Sequence, residues 1–97
     1  MSEAPKQMAV LELLVQNHAG VMSHVCGLFA RRAYNLDAIV CVPVGDGSES
    51  RMWLRVDESD RLPQITSQVQ KLHDVREVKV LHEEDVTVFR GIATGVA

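Results

Sequence analysis

The sequence has little that is basic, aromatic or cysteine-rich, and each shortage removes a class of function. Ten lysines and arginines stand against thirteen aspartates and glutamates, a formal net charge of -3. No broad positive field is therefore present to draw in phosphate backbones or an anionic bilayer, so neither nucleic acid nor a membrane surface is an expected partner. No run approaches the roughly 18 apolar residues needed to span a bilayer. The opening MSEAPKQ has no apolar signal core, and the expected location is the cytoplasm.

Cys26 and Cys41 are the only cysteines. In a reducing compartment they stay unpaired and act as small apolar fillers. They have no C-x-x-C spacing, and His18, His24, His73 and His82 are scattered without a ligand pattern, so no metal site is expected. Of four aromatic residues only Trp53 falls on a strand, too few for a sheet that stacks nucleic-acid bases. Low-complexity runs and long linkers are missing as well.

What is present is the material of one globular domain. Hydrophobic residues make up 46% of 97 residues, the share of an ordinary folded protein, and the length suits one core rather than two. Over Met8–Gln16, Ala9, Leu11, Leu13 and Val15 alternate with Val10, Glu12, Leu14 and Gln16, which predicts a strand with one buried face. Over 21–34 the period changes. Val21, Met22, Val25, Cys26, Phe29 and Ala33 gather on one side of a helix.

Leu36–Val44 is rich in β-branched residues, and 50–56 alternates again, with Met52, Leu54 and Val56 opposite Arg51, Trp53 and Arg55. Gly45-Asp46-Gly47-Ser48-Glu49 between them supplies a hairpin turn. Leu62, Ile65, Val69 and Leu72 then recur at helical spacing, with Asp60 as N-cap and Pro63 in the first turn. Val78 and Val80 alternate with Glu77, Lys79 and Leu81 in a last strand. The order βαββαβ predicts a ferredoxin-like α+β fold, with two helices on one face of a four-stranded antiparallel sheet. Residues 1–7 read as a flexible start, 8–82 as the domain, and 83–97 as a tail that is either frayed or a partner-binding arm.

This fold hosts unrelated functions, so the site must decide. Hydrolysis of phosphate esters or anhydrides would need an anion-binding loop and an activated water. His18 and His24 stand in a suitable segment, but neither has a carboxylate at a spacing that would orient it. The chain reads as non-catalytic.

The informative segment is VQNHAGVMSHVCGLFARRAYNL, where a strand ends at Asn17 and the chain turns into a helix at Gly20. Gly20 permits close approach, and the N–H groups of Val21, Met22 and Ser23 would point outward with the helix dipole behind them, ready for a carboxylate. The other reading is a simple turn at Gly20 with Asn17 capping the helix.

The same segment resembles the ACT-domain regulatory subunits of acetohydroxyacid synthase (acetolactate synthase), whose pattern reads roughly V-x-N-x-P-G-V-x-x-x-V-x-G-L-F-x-R-R-x-Y-N-[IL]. Asn17, Gly20, Val21, Gly27, Leu28, Phe29, Arg31, Arg32, Tyr34, Asn35 and Leu36 match it, and the likeness runs on to about Val80. The run S-H-V-C-G-L-F-A-R-R-A and the single-domain length resemble the short, valine-sensitive members of the isozyme I type. Two positions depart from the pattern: Ala19 replaces the usual proline, which should loosen the loop, and Ala33 replaces a glycine.

The resemblance implies an ACT domain that pairs side by side with a second copy, with effector sites at the interface. Asn17, Gly20, Val21 and Met22 would hold the carboxylate and side chain of a branched-chain amino acid, valine in the first place. Asn35 and Leu36 of the second copy would close over the amino group, while Cys41 would touch the effector side chain or simply pack. It further implies a regulatory subunit that activates a catalytic large subunit and mediates feedback inhibition in branched-chain amino acid biosynthesis. Thiamine diphosphate, Mg and FAD would then sit on the large subunit, and none on this chain. Trp53, Arg51 and Arg55 either face that subunit or form a solvated surface. The alternative is a stand-alone amino-acid-binding module that controls another enzyme or a transcription factor.

Overall fold

The computed structural model describes residues 7–89. It contains β1 (Met8–Gln16), α1 (Val21–Arg31), β2 (Leu36–Val44), β3 (Glu49–Asp57), α2 (Leu62–Gln70) and β4 (Val75–His82), followed by a 3-10 turn at Glu83–Asp85. The strands form one antiparallel sheet in the order β2-β3-β1-β4, the arrangement expected from the alternation of periods. Most of the residues expected to be flexible at the start, and residues 90–97 of the tail, lie outside the described range.

The central strand sets the layers. Ala9, Leu11, Leu13 and Val15 of β1 join Met52, Leu54 and Val56 of β3 beneath both helices, whose contributions are Val21, Val25, Leu28 and Phe29 from α1 and Leu62, Ile65 and Val69 from α2. Period 2 on the strands and 3.6 on the helices thus meet in one core. The opposite face of the sheet is not bare. Val86 and Phe89, from the stretch read as a tail, close over the fully buried Val10, with Ala38, Val40, Trp53, Leu81 and Val88 packed around them.

The first helix ends earlier than its apolar spacing suggests, at Arg31 rather than at residue 34. The Tyr34 N–H donates to the Phe29 carbonyl (3.0 Å) and the Ala33 N–H to that of Ala30 (3.1 Å), the paired bonds of a Schellman termination. The Phe29 and Tyr34 rings meet edge to face at 5.9 Å, supplying the apolar contact that such a stop prefers. The motif needs a left-handed residue before Tyr34, and that residue is Ala33 at φ +50. The replacement of the pattern's glycine by Ala33 therefore carries a backbone cost.

Asp60 does not cap the second helix. The N-cap position is Arg61 and no side chain caps it. Ser59 holds the turn instead, its hydroxyl accepting the Arg61 N–H at 3.2 Å and its carbonyl accepting the Leu62 N–H at 3.0 Å.

Replacing Ala33 by Gly should stabilise the fold by about 0.5–1 kcal/mol, because relief of the left-handed alanine outweighs the added freedom of the unfolded chain. Urea unfolding checks this: the midpoint should rise with an unchanged slope.

Candidate functional site

At the end of β1 the chain is tied to its neighbours before it turns into α1. The Asn17 N–H donates to the Ser48 carbonyl at 3.0 Å, and Asn17 Nδ2 donates to the Gly47 carbonyl at 2.8 Å. Asn17 thus anchors the strand end to the β2–β3 hairpin and does not cap α1, which has no side-chain cap. The hairpin makes its turn with Gly45 at φ +60 and Gly47 at φ +91, conformations that favour glycine.

Gly20 is the N-cap of α1, with φ -94 and ψ -3, so no left-handed backbone demands a glycine there. Its N–H donates to His18 Nδ1 at 3.1 Å, and the Val21 N–H donates to the His18 carbonyl at 3.2 Å. The expectation that the Val21 N–H points outward is corrected: it is taken up within the loop. Met22 and Ser23 are left as the first-turn donors with no partner inside the helix. A Cβ added at Gly20 would meet His18 Cε1 at 3.5 Å and His24 Cε1 and Nε2 at 3.6 Å, ordinary contact distances. The glycine therefore faces a slot between two imidazoles.

Those imidazoles share a carboxylate that local spacing does not reveal. His18 Nε2 lies 2.6 Å from Asp74 Oδ1, and His24 Nδ1 lies 2.8 Å from Asp74 Oδ2. Asp74, in the turn between α2 and β4, is only 5% exposed. The reading that neither histidine has an orienting carboxylate is overturned: both have the same one, 50 residues from His24 in sequence. The hydrogen bonds from His24 and His18 hold the Asp74 carboxyl below the ordinary carboxylate range, against the opposing effect of burial.

Three potential ligand atoms converge here, but the hydrogen bonds describe a clamp rather than a metal centre. His18 Nδ1 accepts the Gly20 N–H, so the ring proton sits on Nε2 and is donated to Asp74. A cation at Nε2 would require that proton on Nδ1, pointing into the Gly20 N–H.

Asn35 and Leu36 stand at the start of β2, and Asn35 Nδ2 donates to Asp57 Oδ1 at 3.3 Å. Leu36 pairs with Val56 and Val44 with Glu49, while Glu49 is also opposite Gln16. The pair Asn35–Leu36 and the Asn17–Gly20 loop therefore lie at opposite ends of the sheet, roughly 25–30 Å apart by strand rise. One chain does not bring them together. Cys41, in mid-β2, is unpaired and packs against the core.

On the other face, Glu12 organises the residues singled out for partner binding. Trp53 Nε1 donates to Glu12 Oε1 at 2.9 Å and Arg51 Nη1 donates to Glu12 Oε2 at 3.2 Å. Arg55 pairs with Asp37 and with Glu83, the latter through both carboxylate oxygens. A glutamate amid the apolar residues of β1 was the visible signal for this network. Asp74 offered none.

Asp74→Asn should lower stability at pH 7, and the deficit should shrink in acid. The folded carboxyl titrates below its ordinary value of 3.8, so its stabilisation is complete above that value and is lost as pH falls through the lower folded one. Urea titrations of both proteins at pH 7, 5 and 3 check the convergence.

Residues 11–77 match the family described as the AHAS small subunit-like ACT domain. The chain is 47% identical over 93 residues to the acetolactate synthase isozyme 1 small subunit of Escherichia coli strain K12, covering 96% of each. It is 38% identical over 77 residues to the acetolactate synthase small subunit of Haemophilus influenzae, covering 78% of this chain and 47% of that one. The crystal structure of the acetolactate synthase small subunit from Thermotoga maritima superposes with a TM-score of 0.69 at 33% identity, over 76% of this chain and 47% of its own. No helix among the described residues is long and apolar enough to cross a membrane. With the strand-loop-helix motif in place on the predicted sheet, the chain belongs to the family of AHAS small subunit-like ACT domains.

Proposed function

We propose that this chain is a regulatory subunit of acetohydroxyacid synthase, which activates the catalytic large subunit and mediates feedback inhibition by valine in branched-chain amino acid biosynthesis. It does so as a homodimer in the cytoplasm, and no catalytic cofactor is bound to it. The observation that carries the reading is the 47% identity to an acetolactate synthase small subunit across nearly the whole of both chains. Thiamine diphosphate, Mg and FAD belong, on this reading, to the large subunit.

The geometry supports the dimeric part. β2 lies at the edge of the sheet, with Val42 42% exposed and, among the described residues, no neighbouring strand on its outer side, an arrangement that proteins protect by pairing or cover. Antiparallel pairing of two β2 strands would set the start of one against the end of the other. Asn35 and Leu36 of one copy would then meet Asn17, Gly20 and Met22 of its partner, and the two ends that a single chain keeps apart would form one site. Two such sites arise by symmetry.

A carboxylate there would find the Met22 and Ser23 N–H groups and the positive end of the α1 dipole. Val21, 3% exposed, supports the loop from the core rather than contacting ligand. Trp53, Arg51 and Arg55 are proposed for the large-subunit contact, beside the segment that carries Val86 and Phe89.

Gly20→Asp separates site from scaffold. The added Cβ fits and the backbone is not left-handed, so the protein should fold and still activate the large subunit. Its own carboxylate would occupy the effector's place, and inhibition by valine should weaken at least tenfold. A folded variant inhibited at the wild-type valine concentration would refute the site. Trp53→Ala should reduce copurification and activation several-fold while calorimetric valine binding stays unchanged. Unaltered activation would remove Trp53 from the interface, and copurification with a different enzyme or a transcription factor would favour the stand-alone module.

A further inference from the structure

We propose that His24 is the side chain that receives the effector's carboxylate, as an imidazolium, and that Asp74 is the positioning residue that holds it for that task. This rests on the preceding reading that an α-amino acid binds at the Gly20 end of the sheet.

The helix start is incomplete as an anion site. α1 has no acidic residue in its first turn, so nothing of its own neutralises the dipole there. Yet two of its four free N–H groups are consumed by His18. A carboxylate has about four acceptor positions, and the amides of Met22 and Ser23 fill only two. His24 stands beside them with its side chain 59% exposed, and its Nε2 lies 3.6 Å from the position of a Cβ on Gly20. Its other nitrogen, Nδ1, is fixed on Asp74 Oδ2, so the ring presents the Nε2 edge to the loop.

The proton inventory follows from the clamp. Asp74 carries one negative charge and accepts from both rings. His18 has no room for a second proton, because its Nδ1 already accepts the Gly20 N–H. A proton added to the cluster therefore goes to His24 Nε2. Neutral His24 turns a lone pair toward the site and repels a carboxylate; the imidazolium donates to it while its Nδ1–H still donates to Asp74. Binding is then coupled to uptake of one proton from solvent, which comes to rest on His24 Nε2.

Among the described residues, the charged or titratable groups facing His24 are Asp74 from the α2–β4 turn and His18 from the β1–α1 loop. Its own helix contributes only the Cys26 thiol within a turn. On the neighbouring strands Arg76 of β4 is closed on Glu49 of β3 at 3.0 Å and does not substitute for the imidazolium.

The test is valine calorimetry on the intact protein at pH 6, 7 and 8, in buffers of differing ionisation heat. The expected result is uptake of up to one proton per site, with affinity falling by as much as about tenfold per pH unit as the proton taken up on binding becomes scarcer. His24→Gln should abolish the uptake and flatten the pH profile, and Asp74→Asn should weaken binding and diminish the uptake. His18→Gln should keep the uptake. Equal affinity at all three pH values, or unchanged uptake in a folded His24→Gln, would overturn the proposal while leaving valine binding intact. Absence of heat for valine, leucine and isoleucine at every pH would instead overturn the effector reading beneath it.

Discussion

The register of β1 is the constraint on which the rest of the structure depends. It is hydrogen-bonded on both sides, with Leu11 opposite Leu54 on β3 and Val80 on β4, and its odd-numbered residues lie under the helices. A slip of one residue would drive Glu12 into the core and lift Leu11 and Leu13 onto the other face. The cost of burying that carboxylate unpaired forbids it. In the observed register Glu12 lies on the opposite face, where it accepts from Trp53 and Arg51. The same register delivers Asn17 to the hairpin tip and Gln16 to Asp74, whose carbonyl accepts the Gln16 N–H at 2.8 Å. The loop that precedes α1 is thus placed by the strand before it.

Asp74 converts that placement into a joint. Its carbonyl holds β1 and its carboxylate holds both histidines, so the β1–α1 loop, the first turn of α1 and the α2–β4 turn meet on one residue. Neutral hydrogen bonds at the surface contribute little, but bonds to a buried carboxylate are charge-assisted and stronger. On the proposed reading, a ligand that recruits His24 pulls on a group already fixed to the far side of the helical layer. The contact would then be a physical route by which occupancy of the loop reaches α2 and β4.

Strand positions were legible because alternation and turn residues coincide: Leu36–Val44 has the observed bounds, and the predicted 50–56 falls short of β3 by one residue at each end. The end of α1 was not, because Ala33 extends the helical spacing while the backbone reverses at that very residue. Asp60 looked like a cap by composition, whereas Ser59 holds the turn with its hydroxyl and carbonyl. Asp74 was invisible for a different reason, since a carboxylate 50 positions away is brought to His24 only by the β1–β4 pairing. The packing of Val86 and Phe89 over Val10 was concealed by the polar run Glu83–Asp85 before it, although the even-numbered apolar residues of β1, Val10 and Leu14, already required some cover.

Ala19 shows how a loop can be held without the residue that normally stiffens it. Proline at that position would fix one dihedral and reduce the freedom of the unfolded chain. Here the two N–H groups that follow it, of Gly20 and Val21, both close on His18, and the far nitrogen of that ring closes on Asp74. A ring bonded at both nitrogens is held in one orientation, so the four residues from Asn17 to Gly20 are braced through side-chain chemistry rather than through a pyrrolidine. The two devices differ in one respect. A proline is indifferent to protons, whereas this brace is built from groups that exchange them, and the stiffness of the loop is thereby tied to the ionisation of Asp74.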